Sequence, residues 1–185
     1  MFDFRPLTIK GAWIYESELF TDARGSFAEW FRLDHLRECL QREFDVIQAN
    51  TAFSKKGAIR GVHFSITKNG QAKWVRCLNG SIWDVVVDLR PGSPTFKQWE
   101  AVNLNASSSK SIFISEGLGH GYLAMTDQTV VSYLLNTKYS PNEELSLNPF
   151  DEDIAINWPH DEYSLSERDL QAPSLKTLMD VICAE

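Results

Sequence analysis

Long apolar runs are absent from this 185-residue chain, and no stretch approaches the roughly 20 residues of a membrane-spanning helix. The first ten residues read MFDFRPLTIK and lack an apolar core with a cleavage site, so we do not expect a signal peptide. Cysteine is scarce, and the three thiols lie far apart without CxxC spacing: Cys39, Cys77 and Cys183. This pattern argues against a disulfide framework and a cysteine zinc site, and it favours a cytoplasmic protein.

Basic residues are fewer than acidic ones, with 18 Lys and Arg against 25 Asp and Glu, a net charge of -7 and a pI near 5.1. This balance argues against a nucleic-acid-binding surface as the main function. A local basic pocket for a small anion remains compatible with it. Hydrophobic residues make up 43% of the chain, enough to bury a sizeable core. The length suits one domain, and we find no linker or repeat, so we expect a single domain over residues 1–185.

Helical periodicity is confined to two segments. Leu33, Leu36 and Leu40 share a face and predict a helix over residues 33–44. A second, short helix is predicted near the C-terminus, over residues 173–184. The predicted strands and helices do not alternate along the chain, which argues against a parallel, doubly wound sheet.

The remaining pattern is typical of short strands separated by turn residues. A turn around Arg24 and Gly25 precedes one strand, and the Asn79-Gly80 dipeptide within residues 72–90 predicts two strands joined as a hairpin. Further strands are predicted over residues 97–105, 109–115, 119–126 and 129–140. The regular spacing predicts a sandwich or barrel. The acidic segment 140–169, rich in turn formers, is expected to wrap around it.

His63 lies in an apolar stretch, GAIRGVHFSI, and is either a packed core residue or a chemical group. Metal-binding jelly rolls commonly carry a second histidine two positions later, where this chain has Ser65. His63 and His120 alone make a weak metal site, so we expect none. Arg60 lies three residues before His63, and regular alternation would place the two on opposite faces. We therefore expect a bulge or twist at Gly61 if they share a pocket.

Lys73 and Tyr133 also place polar ends within apolar strands. Buried charged groups need partners, and an anionic ligand in a barrel mouth would supply them. A neutral histidine accepts a proton, a lysine stabilises an enolate, and a tyrosine returns a proton from the other face. This set suits proton abstraction next to a carbonyl. A nucleophile elbow and the glycine-rich phosphate loops are missing, and Cys77 fits a buried structural thiol.

Several stretches together resemble the dTDP-4-dehydrorhamnose 3,5-epimerases: DARGSF, IRGVHF, QAKWVRCLNGSIWDVVVDLRPGSPTFKQW, SEGLGHGYLAM and YSPNEE. The resemblance runs from about residue 20 to the tail motif LSERDLQAPSL. It implies a mostly β, cupin-type jelly-roll barrel with its core at about residues 45–140. It also implies a homodimer that uses neither metal nor cofactor. The implied substrate is a 4-keto-6-deoxy sugar carried on a nucleoside diphosphate.

The resemblance further implies a role for individual residues. His63 matches the base, Asp169 of the SERD sequence its orienting carboxylate, Lys73 the strand lysine and Tyr133 the acid. Contacts to the diphosphate, sugar and base are implied for Arg24, Phe27, Glu29, Gln48, Asn50, Arg60, His120, Glu144 and Arg168.

The chain departs from the family pattern at three positions. Ser115 replaces a proline, Arg168 a lysine, and Leu134 a residue that is lysine in some members. None of these changes removes a proposed catalytic group. The resemblance therefore implies an epimerase that inverts C3 and C5 of dTDP-4-dehydro-6-deoxy-D-glucose to give dTDP-4-dehydro-L-rhamnose. Inversion at only one of these carbons, sugar-nucleotide binding without catalysis, and a metal-dependent isomerase of the same barrel stay open as alternatives.

Overall fold

The computed structural model describes residues 2–159 and 162–183. The strands are β1 (Asp3–Pro6), β2 (Ala12–Glu16), β3 (Leu19–Asp22), β4 (Gly25–Ala28), β5 (Gln48–Ser54), β6 (Ile59–Ser65), β7 (Lys73–Asn79), β8 (Ser81–Asp88), β9 (Trp99–Asn105), β10 (Lys110–Ile114), β11 (Leu118–Ala124), β12 (Thr129–Leu135) and β13 (Glu144–Ser146). The helices are α1 (Leu33–Leu40), α2 (Glu167–Leu170) and α3 (Leu175–Ile182). Within the described residues, no helix is long and apolar enough to cross a membrane.

Two antiparallel sheets face each other. The first has the order β1-β2-β10-β7-β12-β5 and the second the order β13-β6-β11-β8-β9. Apolar residues from both inner faces form one cluster, including Val75 and Val131 from the first sheet and Val86 and Leu104 from the second. This architecture confirms the predicted cupin-type jelly roll. Strands β5 to β12 lie within the predicted core segment, and β1, β2 and β13 extend the sheets from outside it.

The ends of the chain cover the outer faces of the barrel. Aromatic residues of the N-terminal segment and α1 pack on the first sheet, around Trp74. The C-terminal segment packs on the second sheet through Leu147, Trp158 and Leu175. The segment 140–169 therefore wraps the barrel as predicted, except that its residues 160 and 161 lie outside the described part.

The predicted strands are largely present, but the predicted hairpin at Asn79-Gly80 is wrong. Gly80 does adopt a positive φ of 73° between two strands. However, β7 pairs with β10 and β12, whereas β8 pairs with β9 and β11. The turn therefore carries the chain from one sheet to the other. A short turn signal specifies the local backbone, but not which strands pair across it.

Both helices are shorter than predicted. Helix α1 ends at Leu40 because Gln41 adopts a left-handed conformation and donates its N–H to the carbonyl of Arg37. Helix α3 begins after Ser174, whose side chain accepts the N–H of Thr177. The last predicted residue of this helix, 184, lies outside the described residues.

The expected bulge at Gly61 is confirmed. His63 pairs with His120 of β11, but Arg60 pairs with Tyr122, so two residues of β6 oppose only Gly121. Gly61 has a φ of 119°, and a Cβ there would lie 2.6 Å from the Cα of Gly121. Because alternate residues of β11 face the same way, the bulge brings the side chains of Arg60 and His63 to one side of the sheet.

Candidate active site

A cavity of about 500 Å³ opens between the two sheets. Strands β5, β6, β7, β11 and β12 supply most of its lining, and the C-terminal segment closes one side. Among the predicted site residues it is lined by Gln48, Asn50, Arg60, His63, Lys73, His120, Tyr133, Glu144, Arg168 and Asp169. Most of the predicted residues, distant in sequence, thus share one cavity.

His63 and Asp169 form a directly hydrogen-bonded pair. Nε2 of His63 lies 2.7 Å from Oδ1 of Asp169, a buried residue of α2. Ser166 caps this short helix by accepting the N–H of Asp169, which fixes the backbone that carries the carboxylate. The second carboxylate oxygen accepts the N–H of Gly61 at 3.5 Å. Burial alone would raise the pKa of Asp169, but the contact with His63, the hydroxyl of Ser166 and the N–H of Gly61 lower it.

Lys73 is buried beside this pair. Its Nζ donates to the carbonyl oxygen of His63 at 3.4 Å. Burial lowers the pKa of the ammonium group, while the negative charges of Glu144 and Asp84 oppose that shift. The side chain therefore places a buried, poorly solvated amine against the cavity.

Tyr133 approaches from the other side of the cavity. It lies on β12 of the first sheet, between Asn50 on β5 and Val75 on β7. His63 lies on β6 of the second sheet. A ligand between the sheets therefore has a histidine on one face and a phenol on the other.

A second histidine–carboxylate pair lies next to the first. Nε2 of His120 is 2.9 Å from Oδ2 of Asp84, which is completely buried. The prediction included His120 but missed Asp84. A carboxylate between Trp83 and three valines was the signal available in the sequence, since such a group needs a buried partner.

The mouth of the cavity is polar and carries cationic groups. Arg168 donates to the backbone carbonyl of Glu144 at 2.8 Å, and Gln48 donates to the side-chain oxygen of Asn50 at 2.9 Å. Tyr139 lies at the same mouth, half exposed, and its N–H is held by Gln48. Lining residues that the sequence reasoning missed include Tyr139, Tyr122 and Gln71.

Three predicted binding residues lie away from the cavity of their own chain. Arg24 and Phe27 belong to the hairpin of β3 and β4, and Glu29 follows that hairpin. The Arg24 side chain is 90% exposed and pairs with Asp22, while Glu29 pairs with Arg32. The structure therefore does not bring these three residues together with the other predicted binding residues.

The described residues contain no group of three or more histidine, cysteine or acidic side chains that could hold a metal ion. In the position of the second metal histidine, Ser65 instead bonds Thr67. Cys77 is buried, and its thiol lies against the carbonyl of Asn79. Burial raises the pKa of Cys77 to about 11, which keeps the thiol protonated and unreactive, as predicted for a structural cysteine.

Comparison with known proteins shows which proteins this chain resembles in sequence and in structure. Residues 6–177 match the family model described as dTDP-4-dehydrorhamnose 3,5-epimerase. A Mycolicibacterium smegmatis protein of that name is 48% identical over 92% of this chain and 85% of its own length. The crystal structure of NovW, a 4-keto-6-deoxy sugar epimerase of Streptomyces spheroides, superposes with a TM-score of 0.95 at 40% identity, covering 98% of this chain and 91% of NovW. ChmJ, a 3'-monoepimerase of Streptomyces bikiniensis solved with dTDP-quinovose, gives 0.91 at 43% identity, covering 95% and 89%.

Proposed function

Because the chain belongs to the dTDP-4-dehydrorhamnose 3,5-epimerase family, we propose that it converts dTDP-4-dehydro-6-deoxy-D-glucose into dTDP-4-dehydro-L-rhamnose. The reaction inverts C3 and C5, the two carbons next to the C4 ketone. The observation that carries the proposal is the placement of His63 and Tyr133 on opposing sheets of one cavity. Inversion by proton transfer needs a base and an acid on opposite faces of the sugar, and this arrangement offers them.

His63 is the proposed base. Its Nε2 is engaged with the Asp169 carboxylate, so Nε2 carries the hydrogen and Nδ1 keeps a free lone pair. Nδ1 then takes the proton from the carbon next to the ketone. The imidazolium that results is stabilised by the buried carboxylate, which also holds the ring in this tautomer.

Lys73 and Tyr133 complete the proposed proton transfers. Removing a proton next to a ketone places negative charge on the ketone oxygen, and the Lys73 ammonium in the cavity floor stabilises that charge. Tyr133 donates a proton to the carbon from the other face, which leaves the configuration inverted. Neither a redox step nor a metal is required, because the same bond to hydrogen is broken and remade.

The cavity mouth is the proposed site for the nucleoside diphosphate. Arg60 and Arg168 supply guanidinium groups, which bind phosphate oxygens through paired N–H donors. Gln48 and Asn50 offer amides for the base and sugar, and half-exposed Tyr139 offers an aromatic face for stacking. We propose that His120 and Glu144 contact the sugar or diphosphate from the adjoining walls.

We also propose that the enzyme is a homodimer. Phe20 and Phe27 are 52% and 65% exposed on the β3–β4 hairpin, which pairs with no other strand of the described chain. Exposed aromatic pairs of this kind mark contact surfaces. If a second copy places its hairpin at the cavity mouth, its Arg24, Phe27 and Glu29 reach the substrate. This arrangement reconciles the family's binding residues with their positions in this chain.

Incubation with the dTDP-linked 4-keto sugar in deuterated water, followed by NMR, tests the proposal. Deuterium at both C3 and C5 of an inverted product supports the double epimerase. Deuterium and inversion at one carbon indicate a mono-epimerase, the alternative that the likeness to ChmJ favours. Nucleotide binding without any deuterium incorporation identifies a non-catalytic cupin and overturns the proposal.

A further inference from the structure

Arg60 is held at the cavity mouth by groups from the opposite sheet. Its Nε donates to Oγ of Ser54 at 3.1 Å, and its Nη2 donates to the backbone carbonyl of Phe53 at 3.0 Å. Both acceptors belong to the end of β5, whereas Arg60 belongs to β6. These contacts use the edge of the guanidinium formed by Nε and Nη2. The N–H groups of Nη1 therefore stay available to an anionic ligand.

Ser54 is in turn held by Tyr122. The two hydroxyl oxygens lie 3.1 Å apart, and both side chains are nearly completely buried, with 6% and 3% exposure. Burial raises the pKa of the Tyr122 phenol, so the hydroxyl stays neutral and protonated. A buried hydroxyl that loses its hydrogen-bond partner is left desolvated and unsatisfied, which is unfavourable in free energy. The Ser54–Tyr122 contact is therefore held in place.

The bulge at Gly61 makes this chain of contacts possible. Arg60 and Tyr122 are direct cross-strand partners beyond the bulge, so both side chains face the cavity. Ser54 faces it from the first sheet, in step with the lining residues Asn50 and Ala52. The hydrogen bonds between Tyr122 and Ser54 and between Ser54 and Arg60 thus connect the second sheet to the first and back again at one end of the cavity.

We propose that Tyr122 and Ser54 are positioning residues that fix the direction in which Arg60 presents its guanidinium to the diphosphate of the nucleotide sugar. This inference rests on the proposed function, because it takes the ligand to be a nucleoside diphosphate. The tyrosine acts through Arg60 on binding. It pairs with Arg60 beyond the bulge, whereas His120 pairs with His63, so we assign Tyr122 to binding and not to the proton transfers.

A double-mutant cycle on dTDP binding tests the proposal. Calorimetry measures the Kd of dTDP for the wild type, Tyr122→Phe, Arg60→Ala and the double variant. We expect Tyr122→Phe to raise Kd about five- to tenfold, the loss expected for one hydrogen bond. In the Arg60→Ala background, the same change should leave Kd unaltered, because the group being positioned is gone. Turnover of the keto sugar should show a raised KM with kcat within about twofold.

Tyr163→Phe is the matched control, since its hydroxyl donates to the carbonyl of Trp158 and neither residue lines the cavity. This variant should bind dTDP like the wild type. If Tyr122→Phe fails to fold, Ser54→Ala replaces it in the same cycle with the same expectation.

The inference is overturned if Tyr122→Phe leaves Kd unchanged, if its effect persists in the Arg60→Ala background, or if it lowers kcat alone. The last result would make Tyr122 a proton donor. Failure of the wild type to bind dTDP contradicts the proposed function itself, so the two failures are distinguishable.

Discussion

His63 and Asp169 are 106 residues apart in sequence, yet their side chains are 2.7 Å apart in the structure. The jelly roll supplies the histidine from a strand, and the wrapping C-terminal segment supplies the carboxylate from α2. The proposed base is therefore assembled only when the tail packs on the second sheet. The tail is thus part of the proposed catalytic apparatus as well as a cover for the barrel.

Replacing His63 by alanine should abolish epimerisation while leaving the fold intact. The side chain is about one-quarter exposed and contributes little to the core. Loss of a general base costs roughly 10²- to 10⁴-fold in rate. Stopped assays of kcat and far-UV circular dichroism measure the two effects. A variant that still exchanges the C3 hydrogen with solvent at the wild-type rate would exclude His63 as the base.

Replacing Asp169 by asparagine should lower kcat by a similar factor with a small change in KM. An amide that donates to Nε2 favours the wrong histidine tautomer and leaves the imidazolium without its counter-charge. Steady-state kinetics with the keto sugar separate the two parameters. Equal kcat values for this variant and the wild type would mean that Asp169 only supports the fold.

Asp169 should also make folding stability depend on pH in acid. Its folded pKa is lowered, so its contribution is present above the pKa of the unfolded chain, near 3.8, and is lost as pH falls through the folded value. Urea unfolding of the wild type and Asp169→Asn at pH 7 and pH 3 gives the comparison. The stability difference should be largest at pH 7 and shrink at pH 3. A difference that grows on acidification would contradict the assigned shift.

Replacing Tyr133 by phenylalanine should separate proton removal from inversion. His63 remains able to take and return a proton on its own face, but the other face has lost its donor. In deuterated water we expect deuterium in recovered substrate and little inverted product. Full inversion by this variant would require a different acid, and Tyr122 would be the first residue to examine.

Replacing Lys73 by methionine should lower kcat without lowering stability. The buried ammonium has a depressed pKa because burial penalises its charge, and a thioether of similar length removes that penalty. The urea midpoint should stay level or rise, while enolate stabilisation is lost. A large fall in the midpoint would show that Lys73 has a structural role instead.

Sequence patterns predicted most of the strands, and the family resemblance paired His63 with Asp169, but other partners that the fold brings together were not predicted. Local alternation and glycine signals identified β7, β8 and the bulge at Gly61, because these depend on neighbouring residues. Sheet order depends on packing between residues distant in sequence, so the Asn79-Gly80 signal predicts a hairpin where the chain passes from one sheet to the other. Asp84 and Tyr122 were missed for the same reason. The role of each depends on a hydrogen-bond partner on another strand: His120 for Asp84 and Ser54 for Tyr122.

The position of the β3–β4 hairpin leads to a prediction about mixed dimers. Arg24 on this hairpin does not line the cavity of its own chain, whereas His63 does. We expect Arg24→Ala to raise the KM for the nucleotide sugar, about tenfold for a lost phosphate contact. Size-exclusion chromatography with light scattering should give the mass of two chains.

Subunit exchange between the two variants makes the test specific. A preparation of His63→Ala mixed with Arg24→Ala forms heterodimers in which the chain that keeps His63 lacks Arg24, and its partner keeps Arg24 but lacks His63. If hairpins are exchanged, activity at low substrate concentration should rise above that of either parent. If each hairpin serves its own chain, each mixed dimer has one cavity lacking His63 and one lacking Arg24, and mixing should give only the average of the parents. That average would exclude a role for the partner's Arg24, and the family's binding residues on this hairpin would then need another explanation.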